Sequence, residues 1–287
     1  MSRYRISISE GTTWHSSYAE DLELYRKAGA EGIGLWEWKL PEGQDEQSVA
    51  LLRASGLVAT VCFPAMSSIL PTMLWPEPLD VDARVDVMCR NIERLAAFQP
   101  EFVAVVAGRE GGRSSSEVRE ILVRSLRRVA DCARQSGVRL VFEPVRPGPE
   151  IPIGTISETA RLIQDAQVSN VGILADAWHL WDQPTLRDDV HAHRDLLWAV
   201  QLGDSHKPIR SFADRVLPGD GGIDLVSYLQ VLREVDYDGW YDIELLSDDG
   251  TLGNDYPESL WKRDPGDVSS EAVARVRALL EGRPIHG

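Results

Sequence analysis

The stretch SSSEVREILVRSLRRVADCARQSGVRLVFEPV, residues 114–145, carries the pattern that decides the fold. Its apolar side chains first recur at spacings of three and four, which predicts a long helix with one buried face. Ser114 and Glu117 form a capping box at its start, and Gly137 stands where the helix should end. The apolar run RLVFEPV follows at once and predicts a buried strand. A helix that leads directly into a strand is therefore the local unit of this chain.

The same unit repeats along the whole chain. Further capping boxes at residues 17–20 and 155–158 precede predicted helices, and apolar runs separate the helical patterns. The eight predicted strands are residues 5–9, 32–38, 57–63, 102–107, 139–145, 171–177, 197–203 and 240–246. Strands that alternate with helices pair in parallel, and eight such units close into a barrel of about 250 residues. We therefore expect a single-domain (β/α)8 TIM barrel over residues 1–287, with a polar extension and a final helix at 247–287.

A doubly wound open sheet is the alternative architecture. A dinucleotide-binding sheet needs a glycine-rich turn directly after its first strand, where this chain has SEGTTWH at 9–15. The glycine cluster PGDGGID at 218–224 instead follows the seventh predicted strand. That cluster could cradle a phosphate, but we favour a mobile loop in which Asp224 caps the next helix.

Composition and charge restrict the partners. The chain has 287 residues, of which 43% are hydrophobic, so a sizeable core is available. Its 45 acidic and 30 basic residues give a formal net charge of −15, which disfavours nucleic acid and anionic membranes. The arginine-rich segment 124–135 fits the outer face of a helix rather than a basic groove. We expect neither a nucleic-acid nor a membrane partner.

The cysteines and the N-terminus indicate the compartment. Cys62, Cys89 and Cys132 are widely spaced without a C-x-x-C pair, so we expect reduced thiols. The first residues lack a signal-peptide pattern, and no run approaches the roughly 20 apolar residues of a membrane span. We therefore predict a soluble, cytoplasmic protein. The sequence leaves the oligomeric state open, a homo-oligomer included, and does not decide whether the 247–287 extension covers a pocket or contacts a subunit.

Four oxygen-bearing side chains stand near the ends of the last four predicted strands: Glu143, Asp176, Gln201 and Glu244. Strand ends meet at the C-terminal rim of a barrel, and adjacent strands lie only about 4.8 Å apart. A carboxylate within an apolar run is costly to bury unless it is paired or binds a metal. Three carboxylates and one amide oxygen form a hard ligand set, which suits Mn²⁺, with Mg²⁺ or Co²⁺ as alternatives. Gln201 is the weakest member, because its amide could equally bind backbone or a substrate hydroxyl.

These motifs resemble those of the xylose isomerase-like barrels of the sugar phosphate isomerase/epimerase superfamily, over almost the whole chain. The similar segments are GAEGIGLWEW, LVFEP, ILADAWH, QLGDSHK, LPGDGGIDL and YDIELL. The resemblance implies that Glu143 and Glu244 bind the metal and also transfer the substrate proton. It further implies that Asp176 is a metal ligand, that His179 contacts substrate hydroxyls, and that Arg215 is the arginine preceding the family's P-G-x-G loop.

The chain departs from the family pattern at two predicted strands. Gln201 stands where the family commonly has a histidine ligand. Gly34 replaces a glutamate of the second strand, and Glu37 is the nearest candidate to take its place. Trp14 belongs to a group of tryptophans near strand ends that could wall a pocket. The expected substrate-binding residues are His179, Arg215, His206, Glu37 and Trp14.

The predicted chemistry is proton transfer next to a metal-held carbonyl. It defines an isomerase or epimerase that acts on a sugar, a sugar phosphate or a keto-polyol through an enediolate. A metal-dependent lyase that dehydrates a cyclic keto-polyol, of the inosose or dehydroshikimate type, would use the same ligands and is the alternative. A DNA-repair endonuclease on a related barrel would need a histidine-rich zinc site and a basic groove, which the sequence lacks. A non-catalytic sugar-binding barrel is the third competing class.

Overall fold

Strands and helices alternate through residues 4–146 and 148–285, which this computed structural model describes. The first three and last two residues of the predicted domain lie outside the described residues. The strands are β1 (Arg5–Ser9), β2 (Gly32–Gly34), β3 (Val58–Ala59), β4 (Val61–Cys62), β5 (Phe102–Val106), β6 (Leu140–Glu143), β7 (Val171–Asp176), β8 (Leu197–Leu202), β9 (Asp204–Ser205), β10 (Arg215–Val216) and β11 (Trp240–Ile243). The α-helices are α1 (Tyr18–Ala28), α2 (Asp45–Ser55), α3 (Val81–Ala96), α4 (Ser115–Gln135), α5 (Ile156–Ala166), α6 (Ala177–Leu180), α7 (Leu186–His193), α8 (Leu225–Glu234) and α9 (Pro265–Leu280).

The main sheet closes through its third predicted strand. Its parallel strands follow the order β3-β2-β1-β11-β8-β7-β6-β5-β4, so its two ends, β3 and β4, are the halves of the run predicted at 57–63. Thr60 joins these halves: its N–H donates to the carbonyl of Ile33 at 2.9 Å, and its own carbonyl accepts from Phe102 at 2.9 Å. The third strand therefore changes partner at one residue and seals the barrel. The predicted single-domain TIM barrel is confirmed.

The helices form an outer layer because each has one apolar face. In α4, the longest, Val118, Leu122, Leu126 and Val129 are buried at the predicted spacing. The three predicted capping boxes are present at the starts of α1, α4 and α5. The final helix, α9, packs against α1 and completes the layer where the last strand meets the first. Within the described ranges, no helix is both long and apolar enough to cross a lipid bilayer.

The cysteine prediction is wrong in part. Cys89 of α3 and Cys132 of α4 form a disulfide, with Cα atoms 5.6 Å apart, while Cys62 is free and buried. The two cysteines are separated by 43 residues in the chain, so no short cysteine motif announces the pair. They meet because α3 and α4 pack side by side on the outside of the barrel. The prediction of a cytoplasmic location therefore loses the support of the cysteines, because two of the three are oxidised.

The glycine cluster at 218–224 is organised by an aspartate. The carboxylate of Asp204 accepts hydrogen bonds from the backbone N–H groups of Gly219, Gly221 and Ile223 at 2.9–3.0 Å. These amides already have a protein acceptor, which argues against the phosphate-cradle alternative. Asp224 caps α8 as predicted, since its carboxylate accepts from the backbone N–H of Ser227 at 3.0 Å.

Candidate active site

The polar side chains of the site follow the two-residue period of the strands, and this period makes them face the inside of the barrel. Val141, Leu174 and Ala199 belong to the small apolar cluster inside the barrel. Side chains two residues apart on a strand share a face, so the residues two positions further on also face inward. These are Glu143, Asp176 and Gln201, and the same period takes Asp242 of β11 to Glu244 just beyond it. All five polar side chains are buried, and the four expected metal ligands lie together at the C-terminal ends of the strands.

Two oxygen atoms in this cluster have no hydrogen-bond donor among the described residues. They are Oδ2 of Asp176 and Oε1 of Gln201, and both are buried. A buried acceptor without a donor is costly unless something positive binds it. Ligand atoms of Glu143, Asp176 and His179 also lie within 4.8 Å of one another. The donor set thus fits a divalent cation.

Arg215 is the buried cation of the cluster. Its Nη2 lies 2.9 Å from Oδ2 of Asp176, an ion pair outside hydrogen-bond geometry, and its Nη1 lies 3.2 Å from Oε2 of Glu244. Nη1 also donates to the backbone carbonyl of Glu244 at 3.0 Å. The guanidinium carbon sits 5.3 Å from the ring centre of Trp178, which restricts it from the other side. Arg215 therefore offsets part of the negative charge and is held in a fixed position.

His179 is oriented by the backbone of the neighbouring loop. The N–H of Arg146 donates to Nδ1 of His179 at 2.7 Å. Because Nδ1 accepts, the proton of the neutral ring resides on Nε2, which lies 3.5 Å from Oε1 of Glu143. Burial lowers the pKa of His179 to about 4, an effect that the charge of Asp176 opposes. His179 is thus a neutral donor that faces the same space as Glu143.

Burial and mutual repulsion raise the proton affinity of the acidic groups. The pKa of Glu143 lies well above its ordinary value because of burial and the charges of Glu244 and Asp176. Burial raises the pKa of Glu244 to about 7, although Arg215 opposes the shift. Glu244 can therefore accept and release a proton near neutral pH, and the raised pKa of Glu143 makes its carboxylate a stronger base than an exposed one.

A cavity opens directly above the site, and Glu143, His179, Arg215 and Glu244 line its floor. Its volume is about 920 Å³, including the solvent-open space at its mouth. Its walls are mostly apolar. They are formed by Trp36, Phe63, Met73, Leu74, Trp75, Val106, Val145, Ile151, Phe212 and Leu246, with Thr72, Gly108 and Arg109. Of the described residues, none beyond Leu246 lines the cavity, so the C-terminal extension does not cover it. A charged floor under apolar walls suits a polyol whose C–H faces pack against aromatic rings.

Three of the expected substrate-binding residues lie away from these walls. The carboxylate of Glu37 accepts from the backbone of Ala65 at 2.8 Å and from Asn91 at 3.0 Å, so it tethers a loop and α3. The ring of Trp14 stacks on Trp261 with centroids 4.7 Å apart. Trp36, from the same group of tryptophans, lines the cavity instead.

The third is His206, which belongs to a separate acidic cluster. Its Nε2 lies 3.6 Å from Glu258 and 3.9 Å from Asp214. These three residues have the spacing of a metal site. However, Arg210 already donates to Asp214 at 2.6 Å and to Glu258 at 2.5 Å, so this cluster has its own cation.

Sequence reasoning missed three residues, Asp242, Ser7 and Ser9, that hold the ligands in place. Asp242 accepts from Gln201 at 3.1 Å and from Ser7 at 2.6 Å, and Ser9 donates to Glu244 at 3.3 Å. The available signal was the two-residue period, because Ser7 and Ser9 face inward on β1 as Asp242 and Glu244 do on the neighbouring β11.

The fold and the site together define the class. A closed parallel barrel with polar residues gathered at the C-terminal ends of its strands is the layout of TIM-barrel enzymes. The chain belongs to the xylose isomerase-like TIM barrel family, whose model matches residues 22–277.

The chain is also similar to individual proteins of known name. The chain is 27% identical to the 3-dehydro-D-guloside 4-epimerase of Escherichia coli (strain K12) over 82% of this chain and 90% of that protein. It is 28% identical to the inosose dehydratase of Geobacillus kaustophilus (strain HTA426), over 45% of this chain and 46% of the relative. A crystal structure of the IolI protein with a bound zinc atom shares the fold, with a TM-score of 0.79 at 19% identity over 98% of this chain and 99% of the other.

Proposed function

We propose that this protein is a metal-dependent epimerase or isomerase of a sugar or keto-polyol, acting by proton transfer through an enediolate. One observation carries the proposal: two buried carboxyl groups with raised pKa, Glu143 and Glu244, flank the buried carboxylate of Asp176 and the buried amide oxygen of Gln201, which has no donor among the described residues. Glu143 and Glu244 line the floor of the cavity, together with His179 and Arg215. The named activities of the curated relatives, an epimerase above all, support the same class.

Glu143, Asp176, Gln201 and Glu244 would hold the metal. All four offer oxygen, so Mn²⁺ is the proposed ion, with Mg²⁺ and Co²⁺ as alternatives. When bound, such an ion polarises a carbonyl and stabilises negative charge on its oxygen. The zinc atom of the IolI structure belongs to that protein and does not identify the metal of this chain.

Glu143 and Glu244 are the proposed proton carriers. They come from strands β6 and β11, which stand on either side of β7 and β8, so the two carboxylates approach the metal position from opposite sides. One can remove the proton from the carbon beside the carbonyl while the other returns a proton. Ser9 and Gln201 restrain Glu244, whereas the contact that the described residues give Glu143 is the looser one to His179.

The other residues bind and orient the substrate. The N–H at Nε2 of His179 would donate to a substrate hydroxyl beside Glu143, and the fixed guanidinium of Arg215 would neutralise charge that develops on the substrate oxygens. Trp36, Phe63 and Phe212 would exclude water from the reacting carbon.

Dehydration of a cyclic keto-polyol is the second candidate, and the inosose dehydratase among the relatives favours it. The same carboxylate would remove the proton, but a protonated neighbour would then assist a hydroxyl group to leave. The two reactions give different products from the same first step.

Incubation with Mn²⁺ and a panel of ketoses, their glycosides and inososes in D₂O tests the proposal. We expect deuterium to appear at the carbon next to the carbonyl. In Glu143→Gln or Glu244→Gln the rate of this exchange should be at least about 100-fold lower than in the wild type. Arg210→Gln, in the separate acidic cluster, is the matched control. A new ultraviolet-absorbing enone with loss of water would identify the lyase, and absence of exchange across the panel would contradict both candidates.

A cytoplasmic location and a homo-oligomer remain predictions for this chain. Cell fractionation tests the first. Size-exclusion chromatography with light scattering tests the second.

A further inference from the structure

Gln201 is the point at which this chain departs from the family's usual ligand, and its amide group has two possible orientations. A side-chain amide has an oxygen at one corner and an NH₂ group at the other, and rotation by half a turn exchanges them. Only the oxygen can bind a cation. A glutamine in this position is therefore a useful ligand only if another residue fixes the rotation.

The contacts of Gln201 favour one orientation. Nε2 of Gln201 donates to Oδ2 of Asp242 and to Oε1 of Glu244, both at 3.1 Å. If the amide were reversed, its oxygen would face two carboxylate oxygens, which is electrostatically unfavourable. In the observed orientation Oε1 is buried and has no donor among the described residues, and Gln201 pairs in register with Asp176 on the neighbouring strand β7.

Asp242 is itself held from the other side. Its Oδ1 accepts from Oγ of Ser7 at 2.6 Å, and its backbone pairs with that of Gln201 in the register of β11 and β8. The carboxylate is fully buried beneath the site. Ser7, Asp242 and Gln201 thus form a chain of hydrogen bonds across the neighbouring strands β1, β11 and β8.

We propose that Asp242 is a positioning residue that locks the Gln201 amide with its oxygen towards the metal position. It would thereby complete an all-oxygen ligand set and favour Mn²⁺ over Zn²⁺, which binds nitrogen and sulfur ligands readily. This inference rests on the metal site of the proposed function. Residues that orient a ligand in this way typically change metal affinity by roughly 10-fold to 100-fold when they are removed.

Titration calorimetry of the metal-free protein with Mn²⁺ tests the inference. Asp242→Ala should weaken binding at least about 10-fold, because the amide loses the acceptor that fixes it. Asp242→Asn keeps an acceptor for Gln201 and a donor for Ser7, so it should bind within about threefold of the wild type. Arg210→Gln, in the separate acidic cluster, is the matched control and should leave Mn²⁺ binding within about threefold of the wild type. Circular dichroism should find all three variants folded.

A double-mutant cycle separates orientation from charge. Asp242→Ala in a Gln201→Leu background should cost much less affinity than in the wild type, because no amide remains to be oriented. Equal losses in the two backgrounds, or equal weakening by Asp242→Asn and Asp242→Ala, would mean that charge alone acts and would overturn the inference. Mn²⁺ binding by the wild type with unchanged binding by Asp242→Ala would overturn the inference only. Absence of Mn²⁺ binding by the wild type would overturn the proposed function as well.

If Asp242→Ala does not fold, the wild type still offers a test. The side-chain NH₂ signal of Gln201, assigned by its loss in Gln201→Leu, should be protected from solvent exchange. It should stay protected when Mg²⁺ is added as a diamagnetic probe. Fast exchange of these protons would contradict a locked amide.

Discussion

His179 is neutral because of where its ring is placed. The backbone N–H of Arg146 occupies Nδ1, and burial lowers the pKa to about 4. We expect no protonation of His179 between about pH 5.5 and 8, whereas in denaturant it should titrate near its ordinary value of about 6.5. Nitrogen-15 NMR of the imidazole measures this directly. If His179 in the folded protein titrates with a midpoint above about pH 6, the assignment of a fixed neutral tautomer to this ring is wrong.

Single residues differ in how far the sequence predicts them. Glu143 and Asp176 lie on strands, where a period of two residues and closure of the barrel fix both the level and the direction of the side chain. Glu37 and His206 lie in loops after strands, where the path of the backbone depends on contacts that no local pattern encodes. The role of Asp242 was hidden for another reason: its partners Ser7 and Gln201 are distant in sequence and meet only across three neighbouring strands.

The loop after β5 depends on a glycine that no other residue can replace without strain. Gly108 has φ of +84°, and a Cβ there would lie 2.0 Å from the carbonyl oxygen of Leu70. Gly108→Ala should therefore destabilise the protein by about 2 to 4 kcal/mol and displace the cavity loop that contains Trp75. Gly112 is the matched control, with φ of +75° but open space around it, so Gly112→Ala should cost only about 1 kcal/mol. Urea denaturation compares the two variants, and equal costs would contradict the steric argument.

The disulfide ties two outer helices together. Cys89 and Cys132 are 43 positions apart in the sequence, and for a loop of this length the loop-entropy relation gives an upper limit of about 4 kcal/mol for the stabilisation by the disulfide. We expect Cys89→Ser to lower the melting temperature under oxidising conditions. Under reducing conditions the variant and the wild type should melt together.

A thiol count in non-reducing denaturant checks the pairing itself. One reactive thiol, that of Cys62, is expected for the wild type. Three reactive thiols would contradict the disulfide and support the prediction of reduced thiols that the cysteine spacing gives.

The order of the elements was predictable, while the local breaks within them were not. Eight apolar runs and the helical patterns between them define the barrel, because this alternation has few ways to bury every apolar face. The interruption of the third run at Thr60 has no local signal. It arises because that residue bonds to β2 on one side and to β5 on the other.

The whole molecule should lose stability as the pH rises when no metal is bound. Burial raises the pKa of Asp242 and of Glu244 to about 7, whereas in the unfolded chain they ionise near about 4. Between these values each of the two carboxyl groups keeps a proton in the folded protein that the unfolded chain has released, and Glu143, whose pKa is also raised, acts in the same direction. His179, with its lowered pKa, acts in the opposite direction below about pH 6.5, but the carboxyl groups outnumber it, so the free energy of unfolding falls as the pH rises from about 4 to 7. Mn²⁺ competes with those protons and should raise the melting temperature more at about pH 8 than at about pH 5.

Thermal melts across this pH range, with and without Mn²⁺, provide the measurement. Glu244→Gln should flatten the pH dependence of the metal-free protein, because one of the carboxyl groups with a raised pKa is gone. A melting temperature that rises steadily from about pH 5 to 8 without metal would contradict the assignment.

The pairing of β1 with β11 has a consequence for how the molecule is made. Ser9 and Glu244, which meet in the site, are 235 residues apart in the chain. While a ribosome is still producing the middle of the barrel, β1 therefore lacks one of its two neighbours, and an open strand edge is exposed to other chains. Contacts over such distances form slowly because a long loop must close first. The proposed proton carriers therefore come together only at the last step of folding, and a nascent chain cannot be active before its barrel is sealed.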